Sequence, residues 1–405
     1  MQFDIGKAID KFKYNPDSVK KKYDGKTDIY LAKVSYRFAY LKRIFYVLFV
    51  LVLIAFVLSG NISYNKIYYL TKDITLASDY VNSKHDTVTY NVGNSQSFVP
   101  YRSGIAVASR ERLSLFSAGG RELFASTHSY ANPTLASGNK YVLLYDVGGK
   151  QFSLYNSFSK IREASLDYTI YGACIANNGS FAIITRSEKY EQVVSVYTQN
   201  ENRYDYNFSS GRVVAVSLSK SGNQLAVVLV FSDVSGLRSE LRLYKVGEGA
   251  SHKANITFAG IPFDVRFFDN GNVVTLGAKG VNVYNGNLSL VGEYLTEKEI
   301  YAYDIGEDNI AIVHATENAA QTQAVILNKR GRAEKKITFE ERVMDVLLYR
   351  GYLYTQTLGG FVRTNISLNK STKIDIVAND FKMISADRDT LIVCNSSYAK
   401  FLYFK

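Results

Sequence analysis

From residue 84 to residue 405 the apolar positions come in short runs separated by clusters of Gly, Asn, Asp and Ser, with no sustained helical period. That is the pattern of an all-β chain. The runs group in fours. A first strand ends in a polar turn, a second is apolar throughout, a third alternates and often carries Tyr, and a fourth is more polar. VVAVSLSKSGN, QLAVVLVF, ELRLYKVGE and HKANITF, from Val213 onward, form the clearest copy, and GACIANNGS, FAIITRS and VVSVYTQN repeat its plan. The first strands begin near residues 97, 134, 172, 213, 263, 301, 343 and 381, in steps of 37 to 50 residues. Four strands in about 40 residues is the period of a β-propeller blade. A second strand without polar residues fits this arrangement because neighbouring blades cover both its faces, whereas the fourth faces water.

Eight first strands predict an eight-bladed propeller, or seven blades if one copy is misread; a pair of β-sandwiches does not explain the regular step. The last copy, KMISADRDT, LIVCNSS and AKFLYFK, lacks a fourth strand, while DTVTYNV, Asp86 to Val92, precedes the first copy without a blade of its own. The two deficits are complementary. The N-terminal strand is expected to complete the last blade and close the ring, which removes its exposed edges.

A different pattern occurs once, in IFYVLFVLVLIAFVL, Ile44 to Leu58. Fifteen apolar residues span about 22 Å as a helix against roughly 30 Å of hydrocarbon, and the flanking residues make up the difference. A transmembrane helix over 44–60 is expected, behind a basic arm at 1–43 and ahead of a stalk at 61–83. The arm is longer than the leading region of a cleaved export signal. It holds eleven Lys and Arg against five Asp, a net of +6, leaving +5 of the total +11 for the rest. The positive-inside rule then places the arm in the cytoplasm and the propeller, 84–405, outside. Tyr30, Val34, Phe38 and Leu41 share one face of an amphipathic juxtamembrane helix, so Lys33, Arg37, Phe38, Lys42 and Arg43 are the expected contacts with the membrane surface.

With its basic arm, one span and blade turns such as Ser219-Lys220-Ser221-Gly222-Asn223 and Asp269-Asn270-Gly271-Asn272, the chain resembles membrane-anchored, quinoprotein-like or WD-like propellers. It resembles in particular an uncharacterised family of single-pass envelope proteins from Clostridia. The resemblance implies a propeller at the cell envelope and carries over no functional residue. The chain has no Trp, which rules out the WD dipeptide and the Trp typical of pyrroloquinoline-quinone repeats, so no cofactor is expected.

The search for chemistry returns little. Cys174 and Cys394 fall in blades far apart and are read as small buried hydrophobes, not a disulfide. His85, His128, His252 and His314 lack metal-ligand spacing, and His314, in IAIVHAT, reads as a satisfied core or channel-wall residue. There is no Gly-x-Ser-x-Gly elbow, phosphate loop or calcium loop. Eight Asn-x-Ser/Thr triplets are read as turn chemistry. No catalytic, cofactor or metal residue is assigned, and scattered carboxylates leave a glycan-cleaving pair open.

Strand direction alternates, so second-to-third loops share a face with the connections between blades. The longest such loops, Ser187 to Gln192, Ser232 to Ser239 and Thr316 to Gln321, emerge there. Tyr190, Arg238, Phe258 and Pro262 are the expected partner-binding residues. The function expected is that of a membrane-anchored, extracytoplasmic scaffold or accessory subunit of an envelope complex, with an envelope protein partner. An anionic glycan is an alternative ligand, and nucleic acid is not expected. The alternatives are a glycan or peptide sensor relaying to a cytoplasmic partner, and a glycan-cleaving enzyme.

Overall fold

Within each second strand, successive side chains turn to opposite neighbours, and this decides the architecture. In Gly104–Ala108, Ile105 and Val107 pack on one side against Ile392, Cys394 and Phe401, while Ala106 and Ala108 pack on the other against Leu135, Val142 and Leu144. A strand that is buried on both faces has no polar positions to spare. The computed structural model describes residues 39–51, 87–90, 97–234, 236–249, 254–259, 261–318, 321–378, 380–386 and 389–404.

Among the described residues there are eight four-stranded antiparallel sheets, seven of them up-and-down meanders and the eighth completed by the N-terminal strand. The inner strands begin at Ser97, Pro133, Ile170, Arg212, Pro262, Ile300, Val343 and Lys382, and neighbouring inner strands stand side by side around the ring. This is an eight-bladed propeller, so the seven-bladed alternative falls away. Its core is divided into eight hydrophobic clusters, each shared by two adjacent blades. Each fully buried Leu, Ile or Val in them contributes about 1.5 to 3 kcal/mol relative to exposure. The outer strands Lys160–Ser165 and Lys370–Asp375 alternate exposed charge with half-buried positions, which keeps those edges soluble.

The ring closes as its sequence deficits require. Thr87–Thr89 adds to the eighth blade beside Tyr398–Tyr403, with Thr87 opposite Lys400 and Thr89 opposite Tyr398. Val88 and Tyr90 join the cluster between the eighth and first blades.

One expected loop is instead sheet. Residues 232–239 read as polar connection, yet the second and third strands of blade 4, Gln224–Asp233 and Gly236–Lys245, continue pairing until Asp233 faces Gly236. The arms of this hairpin extend beyond the body of the blade, so apolar residues are no longer needed there. Gly236 turns the chain with φ of +117°.

The chain divides into two units, 1–78 and 79–405. In the first, residues 39–51 are helical and exposed, Lys42 and Arg43 included. Among the described residues no helix is long and apolar enough to cross a membrane. The expected span at 44–60 is therefore not borne out as such: residues 44–51 belong to this helix, and the rest lies outside the described residues. So do Lys33, Arg37, Phe38 and the expected stalk.

A candidate interaction site at the channel mouth

Six consecutive inner strands carry a bulge at the same place. Pairing skips one residue after the first or second, leaving Tyr171, Val214, Phe263, Tyr301, Met344 and Ile384 as the inserted positions in blades 3 to 8. A bulge re-aims side chains and ends regular alternation. Strict alternation would put Phe263 on the same face as Val265, which is buried at 1%; the bulge leaves Phe263 43% exposed. Tyr171, Val214 and Tyr301 are 50%, 42% and 38% exposed, and Ile261 is exposed beside them. Met344 and Ile384 pack inward instead. An apolar collar therefore edges the channel along blades 3 to 6, at the face where second-to-third hairpins and interblade connections emerge.

Beneath the collar lies a polar network on the inner strands Pro262–Phe267, Ile300–Ile305 and Val343–Tyr349. Side chains bridge the inner strands of blades 5 and 6. The Phe263 and Tyr303 rings lie 5.6 Å apart, tilted by 53°. Tyr303 donates its hydroxyl to Asp264 Oδ2 at 3.2 Å, and Arg266 Nε donates to the same oxygen at 3.3 Å. Asp304 Oδ2 accepts the Leu348 N–H of blade 7 at 2.7 Å, and Asp345 Oδ1 accepts Val346 N–H at 2.9 Å.

The electrostatics follow from burial. Burial raises the pKa of Asp304, with the Leu348 N–H and the Arg266 charge pulling the other way. Burial also raises Asp345, Lys382 opposes this, and the Asp304 charge adds to it. Tyr303 is pushed up to about 12 by burial and then by Asp264. Burial works against the Arg266 cation, but Asp264 and Asp304 outweigh it and raise its pKa. The Arg266 side chain is 55% accessible to solvent although protein encloses it, as befits a group facing a channel.

The expected site residues are only partly gathered here. Tyr190 is half-buried in the second-to-third connection of blade 3, with the Lys189 ammonium 5.5 Å from its ring centroid. Arg238 lies on the long hairpin of blade 4, pairs with Glu240 Oε1 at 2.8 Å and stacks over Phe231 at 4.3 Å. Both belong to the collar face, as do the exposed hairpin residues Val234 and Leu237. Pro262 does not belong to that surface: it is buried, and its neighbours Ile261 and Phe263 are exposed in its place. The Phe258 side chain lies outside the described residues. Sequence reasoning missed Tyr171, Val214, Phe263 and Tyr301. Their signal was a large apolar residue near the start of each of these first strands, which alternation alone does not separate from core positions.

Cys394 is buried and Cys174 half-buried, neither in a disulfide. Burial pushes each thiol up to about 12. His314 is less well satisfied than expected: its Nδ1 lies 3.0 Å from the Ala315 carbonyl oxygen, but its buried Nε2 has no partner. Among the described residues no cluster of His, Cys, Asp or Glu is arranged to hold a metal.

A model of a family of unknown function, DUF5711, matches residues 77–401. No curated protein matches the chain. Among solved structures it is similar to Saccharomyces cerevisiae Sqt1, with 9% identity, TM-score 0.54, and coverage of 80% of this chain and 100% of that one. Chaetomium thermophilum Sqt1, solved bound to the N-terminus of ribosomal protein L10, gives 12%, 0.51, 79% and 97%. BamB from Moraxella catarrhalis gives 9%, 0.50, 78% and 100%. At these identities the likeness is one of fold.

Proposed function

The chain belongs to the DUF5711 family, whose function is unknown, and we propose that its propeller is a protein-binding scaffold that receives a partner on the collar face. The observation that carries this reading is the exposure of Tyr171, Val214, Phe263 and Tyr301, with Ile261 next to Pro262, at the same bulge in the inner strands of four successive blades. Large apolar side chains held out of water around a concave mouth lose exposed surface when a partner covers them. Aromatic residues are the anchors that interfaces most often use. The exposed tip of the blade 4 hairpin extends the same surface. That Chaetomium Sqt1 holds the N-terminus of a ribosomal protein is a precedent for peptide binding by this fold, and no more.

The finer part of the reading is that this scaffold serves a complex at the cell envelope. Residues 44–51 form part of an apolar helix exposed on all sides, which suits a membrane anchor better than a packed surface helix with a polar face. The basic arm at 1–43 would then face the cytoplasm and the propeller the outside.

The test is crosslinking in intact cells followed by isolation of the full-length chain, comparing the wild type with the double variant Tyr171→Ser/Phe263→Ser. Recovery of a defined protein with the wild type, and its loss with the variant, is the expected result. An unchanged set of partners would remove the collar from the interface.

A further inference from the structure

The collar is apolar, but what lies directly behind it is not, and that difference restricts what can enter. Across blades 5 to 7 the inner strands carry three carboxylates, Asp264, Asp304 and Asp345, and one guanidinium, Arg266. Arg266 is committed to Asp264 through its Nε, and the Lys382 charge of blade 8 acts on Asp345 against the effect of burial. On the rim itself Arg342 stands 5.5 Å from the Tyr301 ring centroid. The network reaches the collar without a break, from Phe263 to Tyr303 to Asp264, between the inner strands of blades 5 and 6. An apolar side chain can rest on the collar. A group reaching deeper meets an excess of negative charge between low-dielectric walls.

We infer that the segment docking on this collar is an extended peptide bearing a lysine or arginine between apolar residues, its cation reaching past the collar towards Asp304 and Asp345 on the inner strands of blades 6 and 7. The inference rests on the scaffold reading and names its partner's chemistry. A cation there supplies the charge that Arg266 and Lys382 leave unbalanced, and its apolar neighbours cover Phe263 and Tyr301. A neutral peptide gains the second contribution only. An acidic one brings a like charge against the carboxylates and is disfavoured.

The experiment titrates the full-length chain, purified in detergent, against four fluorescent nonapeptides. They are capped at both ends, share the same Leu and Phe flanks, and carry Lys, Arg, Gln or Glu at the centre; anisotropy reports binding. The Lys and Arg peptides are expected to bind about tenfold more tightly than the Gln peptide, with the advantage shrinking as salt rises. In Asp304→Asn/Asp345→Asn that advantage should fall away while Gln-peptide binding persists, which also shows that the variant is folded. Equal binding of all four peptides, lost in Phe263→Ser, would overturn the inference and leave the collar as a docking surface. Preference for the Glu peptide would overturn it too, making Arg266 the recognising group. Binding of none would likewise overturn it, and the crosslinking experiment would decide separately whether the collar holds a partner.

Discussion

Tyr90 and Asn395 are 305 residues apart in the chain, yet the Tyr90 hydroxyl donates a 2.5 Å hydrogen bond to the Asn395 carbonyl. The Tyr90 N–H also reaches the Ser397 carbonyl at 3.3 Å, so one residue ties the closing strand to the turn of the eighth blade twice. Loss of the hydroxyl in Tyr90→Phe is expected to cost about 1 kcal/mol, because the Asn395 carbonyl loses a partner in a partly buried place. Hydrogen exchange should quicken first in Tyr398–Tyr403, the strand that Thr87–Thr89 covers. Unchanged protection there would show that Val88 and its neighbours hold the ring without the latch.

Gly104 is required by space. A Cβ at this position would stand 2.0 Å from the Phe116 carbonyl oxygen, a backbone atom that cannot swing away. Gly104→Ala therefore has to displace either the second or the third strand of blade 1, with an expected cost of about 1 to 3 kcal/mol. Denaturant midpoints with an unchanged slope would measure it. A variant as stable as the wild type would mean that this hairpin shifts freely.

Glu240 is buried on the blade 4 hairpin between Arg242 and Arg238, with contacts of 2.6 and 2.8 Å. Burial raises its pKa, but the two guanidinium groups more than reverse that, and the folded value is lowered. A lowered carboxylate stabilises the fold above the unfolded-state value and ceases to do so as the pH falls through the folded one. Glu240→Gln is expected to cost about 1 to 2 kcal/mol at pH 7, discounted because both Arg side chains are partly in water. The difference between variant and wild type should close below the ordinary carboxylate range. A gap of constant size from pH 7 to pH 3 would assign it to packing.

Asp304 has the opposite sign. Its pKa is raised in the folded chain, so with increasing pH the unfolded chain loses its proton first and folding is progressively penalised towards neutrality. Asp304→Asn is expected to melt at or above the wild type at pH 7, with the two converging near pH 4. If the variant melted lower at pH 7, ionised Asp304 would be a net stabiliser through Arg266.

The architecture was legible because it depends on burial and period, both local properties of sequence. Every expected inner-strand start lies within two residues of the one observed, and the unpaired Asp86–Val92 segment announced ring closure. The site was less legible because it depends on register. A one-residue bulge after Pro262 exchanges the roles of Pro262 and Phe263, and nothing in the residue types distinguishes a bulged strand from a regular one. The blade 4 hairpin was hidden for another reason. Ser232, Asp233 and Ser239 look like loop residues, and they pair as strand because the hairpin has outgrown the apolar part of its blade. Asp264, Asp304 and Asp345 lie 40 or 41 positions apart in sequence; only the circular arrangement of blades brings them onto adjoining walls.

The shared eighth blade has a consequence for synthesis. Thr87–Thr89 leaves the ribosome early, and the strand it must join, Tyr398–Tyr403, is made only after all the other blades. Seven blades can therefore form in succession while their ring stays open and the first strand stays unpaired. The native state is sealed in a single late event. Chains halted before residue 398 should accumulate as unclosed, protease-sensitive rings however well their earlier blades have packed.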